Sequence, residues 1–415
     1  MRLSWEVHRR FDLTKYYLNK NIHVVTGAKN HCIYDLEKER LFSIDQSALE
    51  MLNKFLNTRE DKLTKKEEEF LQQLLDFEVL TTMPPNHSHI FLEKPTINFA
   101  WIEVTKACNL RCVHCYNEAE YQEDFTTRNM DFQDFCRVVD MLQAMGVPRI
   151  QLIGGEPYIL GNKLAQMLSY IKDKFQFVEI FTNGTLIKES DIDTLLVNNI
   201  NQIALSVYSN ISSEHDKVTK LKGSYNKTLN TIKALERAGI PYRIANVRMK
   251  EVLVGETEKD LINAKSRYDF VRLSGRGNLN LYDINLLTEK LITKNHFKKK
   301  ISRKYIERNM NMHNCFSNKM YIDVELNVYP CVMERRIKHG NIRSESIEDI
   351  LQDWILTYTK DRVAGCRHCE YRYACHDCRP DRLSEDINAK PWYCTYNPLE
   401  GKWCDIEEFI KELEV

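Results

Sequence analysis

The chain's 415 residues are too many for one ordinary domain, and its 59 basic and 59 acidic residues, with zero net charge, argue against a nonspecific nucleic-acid surface. The N-terminus lacks an apolar stretch of signal-peptide length, and no later segment approaches about 18 uninterrupted apolar residues. We therefore expect a cytoplasmic protein without nucleic-acid or membrane partners, whose 13 cysteines stay reduced and are better interpreted as metal ligands than as disulfides.

Residues 1–90 are predicted to form a compact first domain. From Ile22 to Asp45, β-branched and aromatic residues alternate around short turns, which predicts antiparallel strands. Two helices and a linker should follow, over Ser47–Leu56, Leu63–Leu80 and Met83–Asn86. Thr64 is the expected N-cap of the second helix, because Glu67 stands at the capping-box position. A few strands with small helices in this length are typical of a winged-helix-like module.

From Thr96 to about Asp283, six short apolar runs alternate with amphipathic segments, which predicts a parallel sheet, either open or curled into a partial barrel. The predicted strands are Ile97–Val104, Arg149–Ile153, Val178–Phe181, Gln202–Tyr208, Tyr242–Val247 and Phe270–Leu273. The helices between them include Phe132–Gly146, Lys163–Lys174 and Tyr225–Gly239. The lysine-rich stretch Lys290–Lys304 is predicted to be a solvated helix or connector. Chemistry is expected at the C-terminal ends of the strands.

Three cysteines follow the first predicted strand at C-x3-C-x2-C spacing: Cys108, Cys112 and Cys115. Three thiolates can hold three irons of a [4Fe–4S] cluster, which leaves the fourth iron without a protein ligand. That iron can take the amine and carboxylate of a small molecule, an arrangement suited to radical chemistry. The alternative is three buried or zinc-binding thiols.

A second group of seven cysteines lies within eighty residues near the C-terminus. Its members are Cys315, Cys331, Cys366, Cys369, Cys375, Cys378 and Cys394. Paired C-x2-C units and interleaved aromatic residues can organise a small domain around metal. Both tetrahedral zinc and iron–sulfur clusters suit this spacing.

Together these motifs resemble the radical S-adenosylmethionine (SAM) enzymes that carry a C-terminal SPASM extension, over most of the chain from Ile97 to about Trp403. Gly154, Gly155 and Glu156 resemble the GGE motif, which in the family receives the amino group of SAM. Glycine lets a backbone approach a ligand, and a carboxylate can pair with an ammonium.

Weaker matches to this family lie in the loops after later strands. Asn183 and Ser206 stand where the family often contacts the methionine part or the ribose of SAM. Tyr208 replaces the acidic residue of the usual Ser-x-Asp pattern, so the polar contacts there are left open. His114 fills a position that commonly packs near adenine, and the alternative for it is a partly exposed loop histidine.

The resemblance implies a partial (β/α)6 TIM-like barrel over residues 95–300 and a SPASM domain over residues 305–415. It also implies SAM and three [4Fe–4S] clusters. Cys366, Cys369, Cys375 and Cys394 would bind one auxiliary cluster. Cys315, Cys331 and Cys378 would bind the other, with its fourth site open or filled by Cys404 or a non-cysteine ligand. Two departures are the two-residue spacing between Cys375 and Cys378 and Leu326, where the family often has glycine.

The first domain resembles the PqqD-like peptide-recognition domain of peptide maturases, which binds a leader peptide by adding a strand to its sheet. The alternative is a DNA-binding winged helix, which would require a more basic recognition helix than Ser47–Leu56. The resemblance thus implies a maturase that abstracts hydrogen from a ribosomal precursor peptide and installs cross-links, first of all Cys thioethers. Carbon–carbon or carbon–oxygen links, sulfatase-maturase-like oxidation of a protein Cys or Ser, and a zinc scaffold are the alternatives. Flavodoxin or ferredoxin is the expected electron donor.

Overall fold

The structure is a computed structural model, and it describes residues 15–57, 62–85, 96–117, 120–121, 128–250, 252, 266–313 and 316–413. The predicted ligand Cys315 and the end of the predicted linker at Asn86 lie outside the described residues. Within the described part of the chain, no helix combines the length and the apolar character that crossing a membrane requires.

The first unit is a three-stranded antiparallel sheet with two helices on one face. Its elements are β1 (Tyr17–Leu18), β2 (Ile22–Thr26), β3 (His31–Asp35), β4 (Arg40–Ile44), α1 (Gln46–Asn57), α2 (Lys65–Asp76) and β5 (Leu80–Thr81). Strands β2, β3 and β4 form the sheet in that order, and β1 pairs with β5. Thr64 caps α2 and Glu67 completes the capping box, as predicted. The antiparallel strands and both helices are confirmed.

The second unit is a parallel sheet in which each main strand lies beside the next one along the chain. Its strands are β6 (Phe99–Thr105), β7 (Ala107–Cys108), β8 (Glu120–Tyr121), β9 (Arg149–Gly154), β10 (Phe177–Thr182), β11 (Gln202–Ser206), β12 (Tyr242–Arg248) and β13 (Ser266–Phe270). Its helices are α3 (Phe132–Ala144), α4 (Asn162–Ile171), α5 (Glu189–Val197), α6 (Ser212–Thr219) and α7 (Ser224–Arg237). The order β6-β9-β10-β11-β12-β13 is that of a partial (β/α)6 barrel.

The sixth strand was predicted at Phe270–Leu273 but lies at Ser266–Phe270. The apolar residues after it are buried for another reason. Val271 packs in a core that also contains Tyr282 and Trp392, which come from the following segment and from the C-terminal domain. An apolar run covered by a distant element has the same sequence pattern as a strand.

The remaining helices and strands build the connector and the C-terminal domain. They are α8 (Ile284–Lys290), α9 (Arg303–Asn311), β14 (Lys319–Ile322), β15 (Asn327–Tyr329), β16 (Gly340–Asn341), α10 (Ile347–Ile350), α11 (Asp353–Leu356), β17 (Tyr396–Asn397), β18 (Lys402–Trp403) and α12 (Ile406–Glu412). The stretch Lys290–Lys304 is mostly a connector between α8 and α9. Strand β14 pairs parallel to β6, and the antiparallel strands β15 and β16 follow it. The C-terminal domain therefore extends the same sheet.

The sheet of the first unit has elements packed on both of its faces. One face, with Ile33, packs on α1 and α2. The other face, with Cys32 and Tyr34, packs on Tyr371 and Tyr396 of the C-terminal domain. Every residue of β3 is consequently buried. The first unit and the C-terminal domain share one hydrophobic core.

A cavity of about 790 Å³ opens at the N-terminal ends of the barrel strands. Arg149, Gln202 and Arg243 line it, and each stands at the start of its strand. The Arg243 guanidinium forms two hydrogen bonds with the Glu179 carboxylate there, at 2.7 and 2.9 Å. The predicted site residues lie at the opposite ends of these strands, so this cavity is separate from them.

Candidate functional site

The three predicted cluster cysteines lie together in the loop that follows β6. Cys108 is buried in β7, and Cys112 and Cys115 pack against it with Leu110 and Leu221. The backbone N–H of Leu110 donates to the Cys108 sulfur at 3.4 Å. None of the described cysteines forms a disulfide. Three thiols around one volume, with a backbone donor aimed at one sulfur, fit a cluster bound through three cysteines.

Two neighbouring segments fix the path of this cysteine loop. The N–H of Val113 donates to the carbonyl of Val218 near the end of α6 at 3.0 Å. Arg276 donates from its side chain to the carbonyl of Cys112 and from its backbone to that of Cys115, each at 3.0 Å. The loop is therefore held in shape by the protein itself.

Burial disfavours the charged form of the Cys108 and Cys112 thiols in the free protein. It raises the pKa of Cys112 to about 12, and the neighbouring Cys115 adds to the shift. Burial also raises the pKa of Cys108. Thiolates therefore form here only with a compensating positive charge, which a metal cluster supplies.

Gly154 and Gly155 approach the start of the cysteine loop closely, and their predicted contact with SAM remains a prediction. A Cβ at Gly154 would overlap the Thr105 carbonyl, and one at Gly155 would overlap the Ala107 carbonyl. The N–H of Gly155 donates to Thr105 and that of Glu156 donates to Ala107, both at 2.8 Å. The two glycines allow the end of β9 to position the segment that carries Cys108.

Glu156 is fully buried, and its carboxylate is engaged by the protein. It accepts hydrogen bonds from the Thr182 hydroxyl at 2.7 Å, the Asn183 N–H at 2.7 Å and the Tyr158 N–H at 3.1 Å. Burial raises the pKa of Glu156 to about 7 despite these donors. The carboxylate thus ties β9 to β10, and its pairing with the SAM ammonium remains a prediction.

Asn183 joins the end of β10 to the cysteine loop. Its amide donates to the Asn109 side-chain oxygen at 2.9 Å, and the Asn109 amide donates to the Thr185 hydroxyl at 2.8 Å. Asn109 directly follows Cys108, and sequence reasoning missed it because nothing in the sequence joins it to residues about 75 positions later. The predicted SAM contact of Asn183 remains a prediction.

Ser206 and His114 both lie beside Tyr208, the residue that departs from the family pattern. The Tyr208 hydroxyl is in hydrogen-bonding contact with the Ser206 hydroxyl and with the Cys112 thiol. The His114 ring packs edge-on against the Tyr208 ring at 4.7 Å between centroids. Burial beside Arg276 lowers the pKa of His114 to about 4. His114 is half-buried and packed against Tyr208, and its contact with adenine remains a prediction.

Four of the C-terminal cysteines form one group. Their thiols influence one another electrostatically: Cys366 interacts with Cys375 and Cys394, and Cys369 interacts with Cys366 and Cys375. These are the four residues that the resemblance assigns to one auxiliary cluster. Burial raises the pKa of Cys375 to about 11, and the nearby Lys360 ammonium opposes that rise.

The other C-terminal cysteines have their own contacts, although Cys331 packs against the same core of Phe316, Tyr358 and Val363 as Cys366. Cys331 packs beside Phe316, the residue after Cys315. The N–H of Cys378 donates to the Tyr393 hydroxyl at 2.8 Å. Exposed Cys404 donates its backbone N–H to the carbonyl of Thr395, the residue after Cys394. The ligands of the upstream cluster remain a prediction.

No group of three or more His, Cys, Asp or Glu side chains in the described residues is arranged to hold a single metal ion. A cubane cluster sets a different requirement, because each of its irons takes a separate thiolate and the thiols need only surround a common volume. The triad and the four-cysteine group both meet that requirement.

Two family profiles match the chain. The profile "Radical SAM superfamily" covers residues 102–267, and the profile "Iron-sulfur cluster-binding domain", SPASM, covers residues 315–379. The chain therefore contains a radical SAM domain followed by a SPASM iron–sulfur-binding domain. The radical SAM domain contains Cys108, Cys112 and Cys115 and the strand ends around them. The SPASM match contains six of the seven C-terminal cysteines, and Cys394 lies beyond it.

Three known proteins place this radical SAM enzyme among its relatives. The antilisterial bacteriocin subtilosin biosynthesis protein AlbA of Bacillus subtilis is 32% identical over 191 residues, covering 45% of this chain and 42% of that protein. An AdoMet-dependent heme synthase of Methanosarcina barkeri is 23% identical over 340 residues, covering 72% of this chain and 96% of the synthase. The crystal structure of Streptococcus suis SuiB bound to precursor peptide SuiA aligns with a TM-score of 0.51 at 15% identity, covering 87% of this chain and 94% of that one. The chain spans less than half the length of AlbA, and the likeness to SuiB is one of fold.

Proposed function

We propose that this radical SAM enzyme is a peptide maturase that removes hydrogen from a ribosomally made precursor peptide and installs oxidative cross-links, first of all Cys thioethers. The observation that carries the proposal is the sheet of the first unit. Other elements pack on both of its faces, so an added strand can pair with it only at its edges. A leader peptide can bind such a sheet by adding a strand.

The outer edge of β4 is the proposed docking edge. The Leu36 N–H bonds back to Asn21, which sets the alternation of the ladder. On that alternation, the backbone groups of Leu41 and Ser43 point away from β3. Among the described residues, no backbone hydrogen bond joins them to another element. The other edge is partly used, because the Ala28 N–H on the turn after β2 bonds to the His368 carbonyl at 2.8 Å.

The relatives support a peptide substrate. AlbA is named for the biosynthesis of the bacteriocin subtilosin, and SuiB was crystallised with its precursor peptide. The heme synthase shows that a similar chain can act on a different substrate class. The first unit with its open edge is what favours a peptide here.

The residues at the strand ends would have different roles in the radical SAM site. Cys108, Cys112 and Cys115 would hold the cluster that binds SAM, which together supply a carbon-centred radical able to take hydrogen from an unactivated carbon. The glycine turn and Glu156 would hold the cysteine loop in place. The rings of His114 and Tyr208 would shield the site from water on one side.

Thioether formation requires an electron acceptor, which a cluster bound by the C-terminal cysteines would provide. One hydrogen atom leaves the peptide carbon, one proton leaves the cysteine thiol, one electron leaves the peptide, and one sulfur–carbon bond forms. An auxiliary cluster held by the four-cysteine group would accept that electron. A flavodoxin or ferredoxin would exchange electrons with the enzyme.

Mass spectrometry of a co-expressed peptide tests the proposal. The candidate substrate is the product of a short cysteine-containing reading frame beside the gene, and each link should remove two hydrogen atoms. The Cys108→Ala, Cys112→Ala, Cys115→Ala variant should leave the peptide unchanged. Loss of two hydrogens from a peptide whose cysteines are all replaced would indicate carbon–carbon or carbon–oxygen links. Oxidation of a single Cys or Ser without a link would indicate sulfatase-maturase-like chemistry.

Leader docking is best tested in the full chain. Deleting residues 1–90 would expose the core shared with the C-terminal domain, so loss of activity would be ambiguous. Ser43→Pro removes one outward N–H from β4 without removing a bond to β3. It should weaken binding of a fluorescent leader peptide at least tenfold, whereas Ser43→Ala should leave the affinity unchanged. Equal affinities of the two variants would place the leader elsewhere.

Metal analysis separates the maturase from a zinc scaffold. After anaerobic reconstitution, iron and sulfide should be present in near-equal amounts. Zinc without sulfide would refute the radical proposal.

A further inference from the structure

Lys360 is a buried lysine beside the four-cysteine group. It begins a short 3₁₀ turn, Lys360–Arg362, and its side chain is only 3% exposed. Its ammonium donates a hydrogen bond to the carbonyl of Cys375. The same carbonyl accepts from the Tyr305 hydroxyl at 3.2 Å. A cation is therefore fixed at the backbone of one of the four cysteines.

The charge of this ammonium is not balanced by a carboxylate bound to it. Asp377 is the acidic residue nearby, and it pairs with Arg379 at 2.6 Å and with His313 at 3.5 Å. Among the described residues, Lys360 itself forms no ion pair. A buried cation with no anion bound to it destabilises a protein. Some other negative charge is thus expected at this place.

The four thiols are the group that can bring that charge. The Cys375 and Cys366 thiols act electrostatically on Lys360, as the Asp377 carboxylate also does. Four thiolates around a [4Fe–4S] cluster leave the assembly with net negative charge, and accepting an electron makes it more negative. Net charge near a cluster is one of the features that set its reduction potential.

We infer that Lys360 is the counter-cation of the auxiliary cluster held by Cys366, Cys369, Cys375 and Cys394, and that it favours the reduced form of this cluster. The inference rests on the proposed function for its purpose: an easily reduced cluster takes the electron that leaves the peptide when a cross-link forms. The electron then passes to a one-electron carrier protein. Lys360 is a positioning residue in this scheme, since it acts through the cluster and does not touch the peptide.

Redox titration followed by electron paramagnetic resonance tests the inference without any peptide. The Cys108→Ala, Cys112→Ala, Cys115→Ala background removes the SAM-binding cluster, and the signal lost in Cys394→Ala identifies the cluster of interest. Lys360→Gln keeps a hydrogen-bond donor and removes the charge. It should lower the equilibrium constant for reduction at least tenfold, which is 59 mV for one electron. Lys360→Met should give the same shift, and Lys360→Arg should stay within threefold of the parent.

Lys402→Met, at an exposed lysine of the same domain, is the matched control and should leave the potential unchanged. A Lys360→Gln protein with full iron content and the parent potential would overturn the inference. So would an equal shift in Lys360→Arg. A shifted potential in Lys360→Gln, together with a parent enzyme that modifies no peptide, would support the role of Lys360 and refute the proposed function.

Discussion

The backbone N–H of Asn183 donates a hydrogen bond to the Glu156 carboxylate at 2.7 Å, and this bond joins the end of β10 to the turn that follows β9. Within this turn, the Glu156 N–H also donates to the carbonyl of Ala107, the residue just before Cys108. Three strand ends are therefore linked around the cysteine loop. The position of the cluster thiols depends on a carboxylate that is itself out of reach of solvent.

Glu156→Gln tests this linking role. The amide can keep the bonds to one oxygen, but its NH₂ group faces a donor at the other, so the free energy of unfolding should fall by about 1–3 kcal/mol. The denaturant concentration at the unfolding midpoint should fall. The affinity for SAM, measured by equilibrium dialysis, should fall as well. Glu189→Gln, at an exposed position of α5, should change neither. Weaker SAM binding with unchanged stability would instead indicate that Glu156 pairs with the SAM ammonium directly.

His215 predicts a pH dependence of stability. Its Nδ1 accepts the Tyr208 N–H at 3.3 Å, and burial lowers the pKa of His215 to about 4. The unfolded chain takes up this proton near pH 6.5, so the contribution of His215 is complete above that pH and is lost as the pH falls toward 4. His215→Gln should reduce the change in unfolding free energy over this window by up to roughly 3 kcal/mol.

Exposed His296 provides the control for that measurement. His296→Gln should retain the pH profile of the parent between pH 4 and 6.5. A parent-like profile in His215→Gln would show that the imidazole titrates normally and that its packing against Tyr208 is loose.

Leu326 predicts an unusual order of stability between two variants. It stands where the family often has glycine, and its φ is 68°, a conformation that costs a side chain about 1–2 kcal/mol. Its side chain is fully buried in the barrel core. Leu326→Ala should lose about 2–5 kcal/mol of stability through lost packing. Leu326→Gly loses the same packing but relieves the backbone, so it should unfold at higher denaturant concentration than Leu326→Ala.

The reverse order would contradict that account. At most buried positions glycine is less stable than alanine, because it loses more chain entropy on folding. A more stable alanine variant would therefore mean that the turn relaxes to negative φ when the leucine is removed.

Much of the first unit and of the barrel was predictable because the signals are local. The spacing of Cys108, Cys112 and Cys115, the apolar period of the strands and the Thr64 cap all lie within a few residues of one another. The contacts of Glu156 and Tyr34 were not predictable in this way. The Tyr34 hydroxyl bonds to the Glu370 carbonyl at 2.8 Å, across 336 positions of the chain, and no pattern in either segment points to the other.

A long separation in sequence between contacting residues also explains why the predicted position of the sixth strand was wrong. Val271 is apolar because Trp392 covers it, and that partner is supplied only by the folded chain. Lys360 was missed for a related reason, since a lysine in a polar stretch gives no sign that the C-terminal loop will bury it.

The core shared by the first unit and the C-terminal domain also affects which position of a bound peptide can be modified. Cys32 and Tyr34 are packed against Tyr371 and Tyr396, so the β4 edge is held at a set distance from the mouth of the barrel. On the proposed function, a leader peptide anchored at that edge would have to bridge this gap before any of its residues reached the cysteine loop. The number of residues between the anchored segment and the reactive carbon would then determine which residue is modified. Lengthening that spacer should move the modification along the peptide.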